Sequence, residues 1–306
     1  MWEPKPETKF IVRKAMEYVK SVPYTVTARW VFYRLLQDGI LETKADYKRL
    51  LSYLSKARKE FYGGWTPYTL ADDTREAVVK GGGPSSPEMW LLSVRKYTEC
   101  HLDQWKSQPN YVEVWFEAQA MTAQFEHYCN EHITLLPFHG DVSIPTKWEA
   151  AERIYKRWGN KGDHKDVYIL YYGDFDEKGL QIPESARKDV CSFVFDVMQF
   201  DLMRNRHPDE TEDDVFDKAC DLHGEFMDSF HFERVGINSE HPSEFSIPEN
   251  PERPGTYQWE ALDDYSAAQL IEHAELYLDF DKFEEVDIEA ADATVKFRNH
   301  LKGLEF

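Results

Sequence analysis

The 306-residue chain contains no run of eighteen apolar residues, and its first ten residues, MWEPKPETKF, carry no signal-peptide apolar core. Neither a membrane span nor a secretory leader is expected, and a cytoplasmic location is the default. Cysteine is scarce. Cys100, Cys129, Cys191 and Cys220 stand far apart with no CxxC pair, which excludes a disulfide framework and a zinc ribbon and predicts reduced, mostly buried thiols. There is no GK[ST] anywhere, so the GGGPSSPE stretch at 81–88 is a linker and not a P-loop, and ATP hydrolysis is not expected. No GxGxxG accompanies the first strand, and no Ser/His/Asp arrangement has a recognisable spacing. HYCNEH at 127–132 offers His127, Cys129 and His132 without a second ligand pair, so a helix surface explains it better than zinc.

Basic residues are also few, 36 Lys and Arg against 56 Asp and Glu for a net charge of −20, which by itself argues against a nucleic-acid partner. The distribution reverses that impression. Residues 1–110 carry 18 basic against 13 acidic side chains, whereas residues 111–306 carry 18 against 43. A basic amino-terminal module thus precedes an acidic body, although many of the acids serve only to solvate helix surfaces. With 42% hydrophobic residues the chain is long and apolar enough for two domains.

Helical periodicity covers 7–20, then TARWVFYRLLQDG with Thr25 or Thr27 as cap and Gly39 as stop, then the basic DYKRLLSYLSKARKEF. The strand-like WTPYTL follows, completing the outline of a winged helix-turn-helix. Beyond a helix at about 87–107, strands at 112–116, 133–140, 167–172 and 231–237 alternate with helices, which implies a parallel sheet covered on both faces. An acidic helix at 207–226, a Pro-rich connection at 242–254 and a helical region from about 262 to the end complete the chain.

Two strands end in acids. YVEVWF runs into Glu117, and DVYILYYGDFDEKGL carries Asp174 and Asp176. The carboxyl ends of parallel strands line one edge of an open α/β sheet, so these three acids are placed to converge. Hard carboxylate donors of this kind suit Mg²⁺ that keeps waters and touches phosphate. His139, in the loop before Gly140 and Asp141, is a further candidate for phosphate contact, and Glu113, Glu177 and Lys178 stand beside the acid motifs.

These residues resemble the Toprim domain of topoisomerases, primases and related nucleases. The segments HGDVSIPTKWEAAERI, GDFDEKGLQI, FERVGIN and YQWEALDDYSAAQLIEHA narrow the likeness. Over about residues 20–280 the chain resembles the A subunit of DNA topoisomerase VI, the meiotic double-strand-break transesterase and small stand-alone A-like proteins of phages, plasmids and prokaryotic genomes. The likeness implies a winged-helix DNA-binding domain at 1–82, a linker and connecting helix at 83–110, and a Toprim domain with a helical carboxy-terminal extension at 111–306. It sets Tyr33 on the catalytic tyrosine and Arg29 on the arginine before it, and makes Glu117, Asp174 and Asp176 the magnesium ligands, with Glu117 also catalytic. Double-stranded DNA would be the substrate. A homodimer would place the tyrosine of one protomer at the metal of the other, and any ATPase subunit would be a separate chain. Two positions depart from the pattern: Ala118 stands where the family often has Lys, and Phe32 where it often has Tyr.

A phenol with an ordinary pKa near 10 is a weak nucleophile at neutral pH, and Arg29, one helical turn before Tyr33, is placed to favour phenolate or to hold the scissile phosphate. Three readings stay open on the sequence: transesterification by Tyr33, a Toprim nuclease using metal-activated water with the tyrosine structural, and a DNA-binding or plasmid-defence component with a silent Toprim site.

Overall fold

A computed structural model of the protein describes residues 2–71, 86–117, 121–138, 142–159 and 164–302. In chain order the elements are α1 (Pro6–Val19), α2 (Ala28–Gln37), α3 (Lys44–Lys59), α4 (Pro87–Tyr97), β1 (Asn110–Phe116), α5 (Thr122–Tyr128), β2 (Thr134–Pro137), α6 (Ile144–Trp158), β3 (Asp166–Tyr172), α7 (Glu177–Arg204), α8 (Glu212–Asp228), β4 (Phe230–Gly236), α9 (His241–Glu244), α10 (Asp264–Ile271) and α11 (Phe280–Lys302). The protein is α/β, with a four-stranded parallel sheet flanked by helices. None of the described helices is long and apolar enough to cross a membrane.

The sheet order is β2-β1-β3-β4. From β1 the chain moves outward to β2, then returns past β1 to β3, so the direction of winding reverses between β1 and β3. A crevice opens at the carboxyl ends of strands at such a reversal. Both central strands are buried on both faces, which is why YVEVWF and VYILYY read as nearly unbroken apolar runs. Phe125 of α5 stacks on Phe116 at 4.2 Å between ring centroids and meets Tyr172 edge-on at 5.2 Å, sealing the end of the β1–β3 pair.

The three amino-terminal helices form for local reasons. Thr27 accepts from the N–H of Trp30 to cap α2, and Thr43 and Asp46 make a reciprocal capping box on α3. Gly39, at φ +67°, supplies the left-handed residue after α2. The strand expected at WTPYTL is absent. Trp65 follows a 3-10 turn at Tyr62–Gly64 and is buried with its indole N–H donating to Val12 O at 3.3 Å, while Thr66 and Thr69 close a turn on each other. Two glycines and Pro67 favour turns over a strand here. One parallel bridge, Thr27 to Ala71, is the β-pairing seen among described residues of this module.

The chain divides into two compact units, Met1–Asp73 with Val112–Tyr277, and Thr74–Tyr111 with Leu278–Phe306. In the second unit Trp105 packs edge-on against Tyr111 and Phe283, and the Gln108 amide both donates to Asp279 O and accepts from Asp279 N. Arg95 Nε of the connecting helix donates to Leu301 O of the last helix at 3.1 Å, so the two belong together. One expected helix is shorter, the connecting helix stopping at Tyr97, and the carboxy-terminal helical region consists of α10, a 3-10 turn at Glu272–Tyr277 and α11. The acidic tract forms α8, with Thr211 as cap and Glu212, Asp213 and Asp214 in the first turn, where the helix dipole favours them. All four cysteines are free; Cys129 and Cys191 are buried, whereas Cys220 is exposed.

Candidate functional site

Glu117 and Asp174 leave adjacent strands at the winding reversal, tied by the Asp174 N–H donating to Glu117 Oε2 at 3.1 Å. The Asp176 carboxylate caps α7 by accepting from Gly179 N at 2.8 Å and lies 3.7 Å from Arg253 Nη1. Gly179 has to be glycine at this packing: a Cβ there would stand 2.1 Å from Asp174 O and 3.0 Å from Glu117 Oε2. Burial first, then the neighbouring carboxylates of Asp174 and Asp176, push the Glu117 carboxyl up to about 7. Burial likewise raises Asp174, opposed by the Trp259 N–H and the Arg29 charge.

The loop bearing these acids is held by a half-buried cation. Arg234 of β4 donates to the carbonyls of Gly173, Asp174, Gly179 and Ile237 at 2.6–3.1 Å and lies over the Tyr171 ring. At Gly179 the guanidinium fork supplies the donor that Pro183, four residues on in α7 and without an N–H, cannot give.

Helix α2 brings the second half of the site. Residues Trp30 to Leu35 are buried all round, because the segment 258–262 covers the face that a surface helix would leave to water. Arg34 fixes that cover by donating to the carbonyls of Glu260, Ala261 and Leu262. The three residues that open the segment each hold at least one candidate group. The Gln258 Oε1 accepts from the Tyr33 hydroxyl, and its Nε2 donates to Asp174 Oδ2 at 3.4 Å. Trp259 N donates to Asp174 Oδ1 at 2.8 Å. The buried carboxylate of Glu260 pairs with Arg29 Nε at 2.9 Å. Tyr33 is thus one side chain from Asp174 of its own chain. It is only 3% exposed, and burial drives its phenol above the ordinary value, with Arg29 pulling down and Glu260 and Asp174 pushing up.

A polar cleft of ≈ 270 Å³ opens beside this array, lined by Arg29, Tyr33, Lys44, Tyr47, Arg253 and Gln258 among others. Arg29 is 47% exposed. Each of the three cations beside this cleft is matched by an acid: Arg29 by Glu260, Lys44 by Glu252 at 2.5 Å and Arg253 by Asp176.

All five expected site residues, Arg29, Tyr33, Glu117, Asp174 and Asp176, therefore fall in one unit and around one array. The acids are not gathered as a ready ion site: among the described residues no group of three or more His, Cys, Asp and Glu could hold a metal. Their donor type fits a hard divalent cation, and Glu117 is raised by burial first and by the Asp174 and Asp176 carboxylates after it. Their oxygens, however, face main-chain and amide donors. Ala118, His139 and the adjoining Gly140 and Asp141 lie outside the described residues.

No protein-family model, no curated protein and no solved structure matches the chain. The chemistry has to be argued from the side chains themselves.

Gln258, Glu260, Arg234, Lys44 and Arg253 have no role assignable from sequence alone. Gln258 and Glu260 fall within YQWEALDD and Arg234 within FERVGIN, so the motifs mark the right segments. An isolated amide or arginine gives no periodic signal of what it will touch.

Proposed function

We propose that this protein is a magnesium-dependent DNA-cleaving protein of the topoisomerase VI A-like type, acting by tyrosine transesterification. The observation that carries the reading is the same-chain link from Tyr33 through Gln258 to Asp174, at the wall of a cleft that also presents Arg29. In the reaction the phenolic oxygen of Tyr33 attacks phosphorus and loses its proton. The new bond joins phosphorus to tyrosine as a 5′-phosphotyrosyl ester, the bond to the 3′ oxygen breaks, and that oxygen leaves with a proton. Arg29, Lys44 and Arg253 suit the phosphate in charge. Glu117 would act as a ligand of the cation, which would hold its carboxylate ionised in the reacting complex. When bound, Mg²⁺ held by Glu117, Asp174 and Asp176 would neutralise charge on the phosphate.

The three-helix module, with its basic α3, is read as the winged-helix DNA-binding part. The same-chain link supports a site assembled within one protomer, whereas the family likeness favours a dimer with exchanged tyrosines. Gel filtration with and without DNA decides the oligomeric state.

A second reading keeps the metal site and makes water the nucleophile. It is favoured by the burial of Tyr33, whose hydroxyl is occupied by Gln258. Incubation with double-stranded DNA and Mg²⁺, followed by denaturation and protease digestion, separates the readings. Covalently trapped DNA that disappears with Tyr33→Phe is the expected result. Free ends formed equally by Tyr33→Phe establish hydrolysis instead. No cleavage in any condition, with binding unaltered by Asp174→Ala, leaves a DNA-binding component with a silent site.

A further inference from the structure

Helix α4 is apolar on opposite sides and buries nothing. Its sequence, PEMWLLSVRKY, sets Leu91 and Val94 on one side and Met89, Trp90, Leu92 and Tyr97 on the other; none of its 11 residues is buried, and Met89, Trp90, Leu92 and Tyr97 are each more than half exposed. A helix of this length is marginal in water by itself, and one that is apolar all round belongs inside a core. Its support is α11, which runs antiparallel to it. Arg95 Nε donates to Leu301 O, Arg298 Nε donates to Thr98 O just beyond the helix, and Cys100 N donates to Thr294 Oγ1. Arg95 lies one turn from Leu91, so these contacts take the Leu91 side and leave the Met89–Tyr97 face uncovered. Helix α11 is left in a matching state. Phe283 and Val286 are buried, whereas Ile288 and Val295, seven residues apart on one face, are each more than half exposed. Glu284 and Asp292 share that face, four residues to either side of Ile288. Neither has an ion-pair partner among the described residues, and Lys96, the cation on the uncovered face of α4, has none either; its ammonium lies over the Tyr97 ring at 4.9 Å.

We propose that the α4–α11 pair is a docking surface for the same pair of a second copy of this chain, the uncovered face of each α4 lying on the uncovered face of the other copy's α11. Complementarity selects a second copy over an unrelated protein. The α4 face is a broad apolar strip with one cation, and the α11 face is a narrow apolar seam flanked by acids, so each face fits the other better than it fits itself. A twofold axis uses both at once and leaves neither exposed, with Lys96 of each copy against the acidic seam of the other. Length agrees: at helical rise Met89 to Tyr97 spans about 12 Å and Ile288 to Val295 about 10 Å. Area agrees as well. Six apolar side chains, each about half exposed, offer on the order of 100 Å² apiece, and with both copies counted the contact reaches on the order of 1,000 Å², where specific interfaces begin. Both helices belong to the second compact unit, whereas Arg29, Tyr33 and the three acids belong to the first. The inference therefore does not rest on the reaction assigned to those residues.

Sedimentation velocity of the full chain, without DNA and at concentrations up to about 100 µM, reads the association directly. The wild type is expected to form a dimer with a Kd on the order of 1 µM. Leu92→Glu and Ile288→Glu, each with unchanged circular dichroism, are expected to weaken it by about thirtyfold. Lys96→Glu alone, and Glu284→Lys with Asp292→Lys, are each expected to weaken it by about fivefold, and the three changes together to restore it. A wild type that stays monomeric overturns the proposal, whatever else binds the face. So does a dimer indifferent to Leu92→Glu and Ile288→Glu, because it must use another surface. Charge changes that add up in the combined variant, without restoration, also overturn it, since α4 then does not lie on α11 of the other copy. The reaction and the surface fail separately: a covalent DNA adduct formed by a wild type that stays monomeric refutes the surface alone, whereas a dimer that these variants dissociate, with no adduct from any form, refutes the reaction alone.

Discussion

Glu113 and Glu117 stand four residues apart on β1 and its continuation, on the same side of an alternating strand, and they are treated in opposite ways. Glu113 is wholly buried, with both oxygens taken by Arg153 at 2.7 and 2.9 Å and one also by the Trp115 indole at 2.9 Å. Glu117 meets a main-chain N–H and the carboxylates of Asp174 and Asp176. The first acid is neutralised by a bidentate fork, the geometry that makes burial of a charge tolerable. The second is crowded with like charge at the crevice between β1 and β3. The difference shows that an acid on this strand is not functional by virtue of position alone; what marks Glu117 is the lack of charge balance around it.

Removing the balance at Glu113 should have the largest effect. Arg153→Met leaves a fully buried carboxylate without its cation and is expected to destabilise the protein by about 3–5 kcal/mol in urea unfolding. A loss under about 1 kcal/mol would mean that Glu113 is satisfied otherwise, and the contrast along the strand would collapse. Next comes Gly179→Ala, which forces a methyl group toward the main-chain oxygen of Asp174 and the carboxylate of Glu117. Since main chain cannot swing aside as a flexible side chain does, a loss of about 2 kcal/mol is expected in the same assay. An unaffected midpoint would show that the acid loop is looser than its Arg234 clamp suggests.

Much of this arrangement is legible in the sequence, for physical reasons that differ by element. β1 and β3 announce themselves as apolar runs because both faces are covered, and Glu117, Asp174 and Asp176 are found because an acid that ends such a run has few innocent explanations. Thr27 and Gly39 bracket α2 because capping is local. What escapes is tertiary. The WTPYTL stretch alternates as a strand does, yet Trp65 is drawn to α1 and the chain turns. The break at Glu272–Tyr277 carries no Pro or Gly to signal it. Tyr33 reads equally as nucleophile or apolar stripe, and no local signal shows that Gln258 and Glu260, more than 220 residues away in sequence, reach its helix.

The smallest effect is also the sharpest test of the contrast, because its sign is opposite. The Glu117 carboxyl, raised to about 7 from an ordinary 4.5, binds its proton more tightly in the folded state. A group raised in this way contributes stability that is fully present below pH 4.5 and is lost as pH rises through 7. Above that range the folded protein carries a crowded anion. Glu117→Gln, which keeps an acceptor for the Asp174 N–H, should therefore stabilise the protein at pH 8 with chelator present, by about 2 kcal/mol once partial solvent screening is allowed for. At pH 4.5 the advantage should vanish. Glu113→Gln should instead destabilise at both pH values, since it strands the charge of Arg153 in place of relieving one. A Glu117→Gln advantage that is the same at both pH values would locate its origin in packing and not in charge. The two acids would then differ in their neighbours but not in the electrostatic sense that separates a structural carboxylate from one available for chemistry.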